Sequence, residues 1–383
     1  AFVSTNSLCQ GDQAPRLFAR LIDAHWRVKF AHRTFRWTTE VPGRDRAVVH
    51  VIVVGFTRSP GNATLFDYAN INDVTPTAEV VPNVNGYLVP GPHLLLHPRR
   101  NPLVPDLPRT VFGNMPRDGG HLLIEPDELD AVMADPLAAN YVRPFVGASE
   151  LLHNEKRWCL WLPDSSIADR TQSPVLRARL TAVAEFRDSE PGGNRRRAES
   201  TRQMAATPHL FGQRSQPTQP FIIIPRHVSH DRRYFVVAHY PSTTIVGDSA
   251  FHAVDPDGLL FGLISSAMFL AWQMAVGGRI KSDPRFANTL VWNNFPLPEL
   301  PARARERIVR AGEGVQRARE ALGDVTLADM YDPLAMDASL LRAHGTLDGE
   351  VDRAFGASRR LTTEKQRLEL LFASYATVTA TLV

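Results

Sequence analysis

At 383 residues the chain is long enough for two or three domains, and 44% hydrophobic content lets each bury a core. Its net charge of +3 is too small to name nucleic acid by itself, and only four of the 43 Lys and Arg are Lys, which genomic base composition explains as well as function does. Cys9 and Cys159 stand far apart with no CxxC, which speaks against a structural zinc site and for a reducing compartment; with no apolar run of about 18 residues and no signal-peptide pattern, a cytoplasmic protein is expected.

"AFVSTN" predicts a buried strand with no polar lead, so an upstream part of the polypeptide is expected to be missing. "QAPRLFARLIDAH" has apolar residues at 14, 17, 18, 21 and 22 and predicts a helix. "RVKFAHRTFRW" and "AVVHVIVVGF" predict two further strands joined by the turn "EVPGRD". One helix and three strands do not close a doubly wound sheet, so residues 1–58 read as the second half of one.

Residues 59–135 are dense in turn signals such as "TRSPGN", "PNVNG" and "HPRRNP" and predict an irregular connector with one or two short strands or helices, "EPDELDAVMADP" among them. Residues 136–298 form a mixed unit. "RWCLWLP", "PFIIIPRHV", "RRYFVVAHY" and "TTIVGDS" are strand-like, and "SPVLRARLTAVAEFRDS" is helical. "DPDGLLFGLISSAMFLAWQMAVGG" predicts one long helix with Asp255 as N-cap and Gly277-Gly278 as its stop. Residues 299–383 are helical throughout. The fold class is α+β multidomain: a partial Rossmann-like sheet, a mixed α/β domain and a C-terminal helical domain.

In "GGRIKSDPRF", Lys281, Asp283 and Arg285 recur with period two. Pro284 disfavours a helical Asp283, so the segment is expected to be extended, with these side chains on one side. A Lys can donate to guanine O6 and N7 while an Asp accepts from the N4 of the paired cytosine. The plainer alternative is a solvated strand with a surface ion pair worth under about 1 kcal/mol. "PGGNRRRAESTRQ" gathers Arg195, Arg196, Arg197 and Arg202, and "IPRHVSHDRR" adds Arg226, Arg232 and Arg233; such groups suit DNA phosphates or an ordinary solvated face. His227, His230 and His239 have no acidic or cysteine partner at metal-site spacing, so no metal is expected. His344, Asp348 and Asp352 lie four apart on one helical face, which fits inter-helix hydrogen bonds better than a hydrolase.

Longer stretches carry a family. "AFVSTNSLCQGDQAP" and "FAHRTFRWTTEVPGRDRAVVHVIVVGF" resemble the distal half of the methyltransferase domain of MmeI-like (type IIL) restriction–modification enzymes. "FGNMPRDGGHLL" and "RPFVGASELLHNEKRWCLWL" resemble the entry to that family's target-recognition domain. "IIIPRHVSHDRRYFVVAHY", "LLFGLISSAMFLAWQMAVGGRIKSDPRFANTLVWNNFPLP" and "LADMYDP" with "LRAHGTLDGEVDRAFG" resemble its remainder and the C-terminal helical domain. The resemblance implies an adenine-N6 DNA methyltransferase that uses S-adenosylmethionine, with double-stranded DNA as partner and, in many members, a nuclease on the same polypeptide. It implies that Lys281 and Asp283 form a paired base-reading site, with Arg285 as a third candidate. It also implies that Phe35 of "TFRW" stacks on a flipped adenine, with Trp37 and a plain sheet-core role as alternatives. The glycine-rich cofactor loop and the Asn-Pro-Pro-aromatic motif are not in this sequence, so the fragment alone is expected to be inactive and to hold no cofactor. A stand-alone DNA-binding specificity subunit is the rival expectation.

Overall fold

The computed structural model describes residues 1–38, 48–68, 73–189, 199–280 and 283–380. Strands β1 (Phe2–Thr5), β2 (Arg27–Thr38), β3 (Val48–Thr57), β4 (Ala63–Asp67) and β5 (Thr77–Val81) form one sheet in the order β1-β3-β2-β4-β5. β2 and β4 run parallel and the other neighbours antiparallel. Helix α1 (Gln13–Asp23) lays Leu17 and Phe18 on Val28, Ala31, Ile52, Val54 and Leu65. The apolar "AFV" start is an edge strand here. Among the described residues β1 pairs with β3 alone, which leaves Phe2 63% and Val3 60% exposed. The turn expected at 40–45 lies outside the described residues.

The stretch 59–135 is shared out among its neighbours. β4 and β5 extend the first sheet, while β6 (Val111–Phe112) and β7 (Leu123–Ile124) join the two that follow. Between them the chain is pinned by side chains instead of a ladder. Asn85 Oδ1 accepts from the Tyr87 and Val89 N–H groups, Asn293 and Asn294 donate to the Arg99 and His97 carbonyls, and Trp292 donates to that of Pro108. Asn residues thus hold a segment whose prolines cannot build a sheet.

The central region has two four-stranded sheets. One runs β11 (Ala238–Tyr240), β10 (Phe221–Pro225), β13 (Ala250–Val254), β6; the other runs β12 (Ile245–Val246), β8 (Val142–Val146), β9 (Trp158–Leu160), β7. β10 is buried along its whole length because Ile222 and Ile224 face the main core while Phe221 and Ile223 face a smaller one with Leu151. Short helices α2 (Leu129–Met133), α3 (Pro136–Ala139), α4 (Ala148–His153) and α5 (Ile167–Gln172), the longer α6 (Pro174–Asp188), and α7 (Glu199–Arg202) surround these sheets.

The long helix expected after Asp255 is two: α8 (Leu259–Ile264) and α9 (Ala267–Val276). Ser266 breaks it, accepting from the Phe269 N–H as N-cap of α9 and donating to the Leu263 carbonyl. Asp255 is not the N-cap of α8, which is Gly258 in the left-handed region. Its carboxylate instead reaches the Leu260 and Phe261 N–H groups from upstream. Beyond the hairpin β14 (Gly278–Ile280) and β15 (Asp283–Arg285), helices α10 (Ala302–Glu320), α11 (Leu327–Met330), α12 (Ala338–Ala354) and α13 (Glu364–Ala380) close the chain. Their apolar faces share one core with α8, α9 and β10.

Candidate DNA interface

The period-two segment is the outgoing arm of the β14–β15 hairpin, paired Gly278 with Arg285 and Ile280 with Asp283. Gly277 ends α9 where a Cβ would come within 2.5 Å of the Gln273 carbonyl oxygen, and Gln273 Nε2 donates to the Arg285 carbonyl. Segment 226–230 lies along the other side of β15. Phe286 N–H donates to the Arg226 carbonyl at 2.9 Å, and Val228 N–H to that of Pro284 at 3.3 Å. Pro284 is buried while Asp283 and Arg285 are turned out. Asp283 Oδ1 accepts from the His230 main-chain N–H at 3.1 Å and meets His230 Nδ1 at 3.3 Å. Lys281 lies outside the described residues.

Cations and carboxylates both stand at the flank of this hairpin. Burial first, and then the guanidinium groups of Arg226 and Arg285, hold the His227 pKa below its ordinary value. Arg226 is half-buried over the Phe112 ring, and its Nε has no acceptor among the described residues. Arg233 is exposed, whereas Arg232 is half-buried, which pulls its pKa down against the carboxylates of Asp332 and Asp329. Arg202 is paired with Glu199 at 3.0 Å. Arg195, Arg196 and Arg197 lie outside the described residues.

Phe35 sits on β2 just after a bulge. His32 pairs with Val53 but Phe35 with Val51, so one extra residue on β2 brings both rings to the same face of the sheet. Phe35 stacks on Tyr68 at 4.9 Å, His32 stacks on Phe66 at 4.2 Å, and His32 Nδ1 lies 2.9 Å from the Tyr68 hydroxyl. Trp37 follows on the same face, 46% exposed. Within the bulge, Arg33 pairs with Asp67 and with Glu364 of α13. A cleft lined by Gln10, Arg33, Thr34, Asp67 and Tyr68 opens beside it. Sequence reasoning missed Phe66, Tyr68 and the bulge; an alternation count along "FAHRTFRW", which puts His32 and Phe35 on opposite faces, held the clue that one of them had to be shifted. It also missed His230, whose place beside Asp283 depends on a contact 53 residues away.

The remaining polar clusters tie elements together. His239 bridges Asp255 at 2.8 Å and Gln316 at 2.6 Å. His344 lies between the Tyr331 hydroxyl and the Ser265 carbonyl, Asp348 accepts from the Ala267 N–H and the Tyr234 hydroxyl, and Asp352 takes both arms of Arg367. Among the described residues no three His, Cys, Asp or Glu gather as a metal site. Among the described residues of the first sheet no glycine-rich turn joins a parallel strand to a helix.

Residues 1–67 match the family model described as the MmeI DNA-methyltransferase domain, residues 90–299 the MmeI target recognition domain, and residues 300–383 the MmeI C-terminal domain. DNA methyltransferase A of Bacillus subtilis (strain 168) is 32% identical over 380 residues, which is 99% of this chain and 41% of that protein. A solved structure of the type IIL restriction-modification enzyme MmeI in complex with DNA superposes with a TM-score of 0.83 at 34% identity, over 99% of this chain and 49% of that one. The chain spans half or less of the length of both relatives. With three consecutive domain models matched along it, the chain belongs to the MmeI family of DNA methyltransferases with a target recognition domain.

Proposed function

We propose that this chain selects the DNA sequence for an adenine-N6 methyltransferase of a restriction–modification system and holds the duplex so that the target adenine reaches the catalytic half. The hairpin β14–β15 carries this reading. It lies inside the matched target recognition domain and presents Asp283 and Arg285 from one side of an extended strand, beside Arg226, whose carbonyl accepts the Phe286 N–H. Lys281 and Asp283 are the proposed readers of one G·C pair, with Arg285 next to them. Arg195, Arg196, Arg197, Arg202, Arg226, Arg232 and Arg233 are the proposed phosphate contacts. Phe35 is the proposed stacking partner of the extruded base, supported by its half-exposed position beside Tyr68.

The S-adenosylmethionine site and the Asn-Pro-Pro-aromatic motif would lie in an upstream methyltransferase part of the same polypeptide, of which a nuclease would be a further part. The work would be done in the cytoplasm, where the DNA of a restriction–modification host lies; no helix among the described residues is long and apolar enough to cross a membrane. Titrating labelled duplex into the chain tests the reading. A handful of phosphate contacts should weaken binding by about a hundredfold or more between 50 and 200 mM salt, roughly as counterion release requires. Salt-independent binding, or none at low salt, refutes it. Low-micromolar binding of S-adenosylmethionine to this chain alone, read by calorimetry, would overturn the assignment of the cofactor site to the upstream part.

A further inference from the structure

The Asp283 carboxylate reaches the surface of the hairpin with one oxygen already taken. Oδ1 accepts the His230 main-chain N–H at 3.1 Å, a donor whatever the state of the ring, and meets the ring Nδ1 at 3.3 Å. The other ring nitrogen faces Asp231 Oδ1 at 2.9 Å; a ring with its proton on Nδ1 donates to Asp283, and one with protons on both nitrogens donates to both carboxylates. Its segment is fastened to β15 by the Val228–Pro284 and Phe286–Arg226 main-chain hydrogen bonds. Asp283 is nonetheless 50% exposed at its side chain, and among the described residues nothing binds Oδ2.

We propose that His230 is a positioning residue for base readout: it fixes Oδ1 of Asp283 so that Oδ2 alone is offered, as an acceptor of set direction. This rests on the reading of Asp283 as a base-contacting residue. A carboxylate free to turn must be ordered when DNA binds, and it can also swing away from a wrong base that presents an acceptor of its own. A pinned carboxylate does neither. It meets an amino group such as cytosine N4 without further ordering, and it keeps its charge against a guanine O6 or thymine O4 placed there instead. The ring therefore acts mainly on rejection of the wrong pair, without touching a base itself.

The test is selection of bound duplexes from a randomised library, followed by sequencing, with the unaltered chain and with Asp283→Asn, His230→Leu and His230→Asn. The amide nitrogen of the His230→Asn side chain can take the place of Nδ1, and a thermal melt of each variant checks folding. The unaltered chain should enrich a motif in which Asp283→Asn relaxes one base pair. His230→Leu should admit wrong pairs at that same position roughly 3- to 10-fold more often, the worth of one hydrogen bond, and leave the rest of the motif sharp, while His230→Asn stays close to the unaltered chain. Relaxation by Asp283→Asn with no change in His230→Leu overturns the role of His230 and leaves the reading of Asp283 standing. A motif untouched by Asp283→Asn, or no motif at all, overturns the reading itself and the inference with it. Equal loss at every position in both His230 variants assigns that residue to folding or phosphate contact, and also refutes positioning.

Discussion

The joint between the recognition domain and the C-terminal helices carries two buried groups that titrate in opposite senses, and Asp348→Asn separates them. Asp348 on α12 accepts the Ala267 N–H at 2.7 Å and the Tyr234 hydroxyl at 3.0 Å, and burial pushes its pKa up to about 6. His344, one turn earlier, takes the Tyr331 proton on Nε2 and gives its own from Nδ1 to the Ser265 carbonyl; burial, reinforced by Arg319, lowers it to about 3. Each pH unit over which only one of the folded and unfolded states holds the proton is worth about 1.4 kcal/mol. The raised Asp348 stabilises the fold fully below the ordinary aspartate value and loses this as pH rises through about 6, a change of about 3 kcal/mol. The depressed His344 stabilises the fold fully above the ordinary histidine value and loses this as pH falls toward about 3, a change of about 5 kcal/mol. Between pH 4 and 6 the two slopes oppose each other. An amide at 348 can keep both hydrogen bonds but cannot titrate. Urea denaturation followed through the fluorescence of Trp272 and Trp292, both in the same core, should show the variant losing about 2–3 kcal/mol relative to the unaltered chain between pH 7 and pH 4. A difference that stays constant across that range refutes the reasoning.

Three further outcomes are expected. In the polypeptide that carries the whole methyltransferase domain, Lys281→Glu with Asp283→Arg should exchange G for C at one position, each lost contact costing roughly 1–3 kcal/mol; sequencing of methylated DNA reads this, and either single swap should lose most activity. Phe35→Ala should weaken capture of the extruded base by about 1–3 kcal/mol, seen as reduced 2-aminopurine fluorescence at the target adenine, with Trp37→Ala doing less. Arg367→Met leaves Asp352 buried and unpaired and should cost about 3–5 kcal/mol in urea denaturation, most of it recovered when Asp352→Leu is added.

What the sequence made legible follows the range of the interaction that decides it. α1, β2 and β3 are local patterns and fall where periodicity puts them. The extended conformation at Asp283–Arg285 was legible because Pro284 and Gly277 decide it within a few residues. The division of α8 from α9 was not, since an apolar run can continue through serines; whether Ser266 breaks it depends on its hydroxyl finding the Phe269 N–H. The ordering of residues 84–110 was illegible for a stronger reason. Beyond the local bonds of Asn85, the carbonyls of His97, Arg99 and Pro108 are held by Asn294, Asn293 and Trp292, nearly two hundred residues on, and "VWNNFP" shows no sign of such a duty. At the candidate site, charge and spacing marked Asp283 and Arg285, but His230 and Tyr68 enter through packing alone.

The proposed function, reading one base pair while another is modified, needs a fixed offset between the two, and the last turn of α9 would set it. Gln273 holds the Arg285 carbonyl, so the hairpin is fastened to the helix that launches it. The Val276 carbonyl accepts the Gly11 N–H at 3.2 Å, which brings the loop after β1 against the hairpin's base; Gly11 has φ +55°, and a Cβ there would lie 3.6 Å from Gly278 Cα. Behind them Trp272 of α9 packs on Phe372 and Tyr375 of α13, and Glu364 at the start of α13 reaches Arg33 in the bulge that brings Phe35 to the face of His32. The candidate reading strand and the candidate stacking ring are therefore both linked to one helix, through the buried Trp272 contacts and the more exposed Arg33–Glu364 pair. On the proposed function these links would bear on the chemistry, since a displacement of about 1 Å at a reacting centre can cost about a hundredfold in rate. On that proposal, a hinge at Val276 would let the hairpin read the right sequence and still bring the wrong base to the ring.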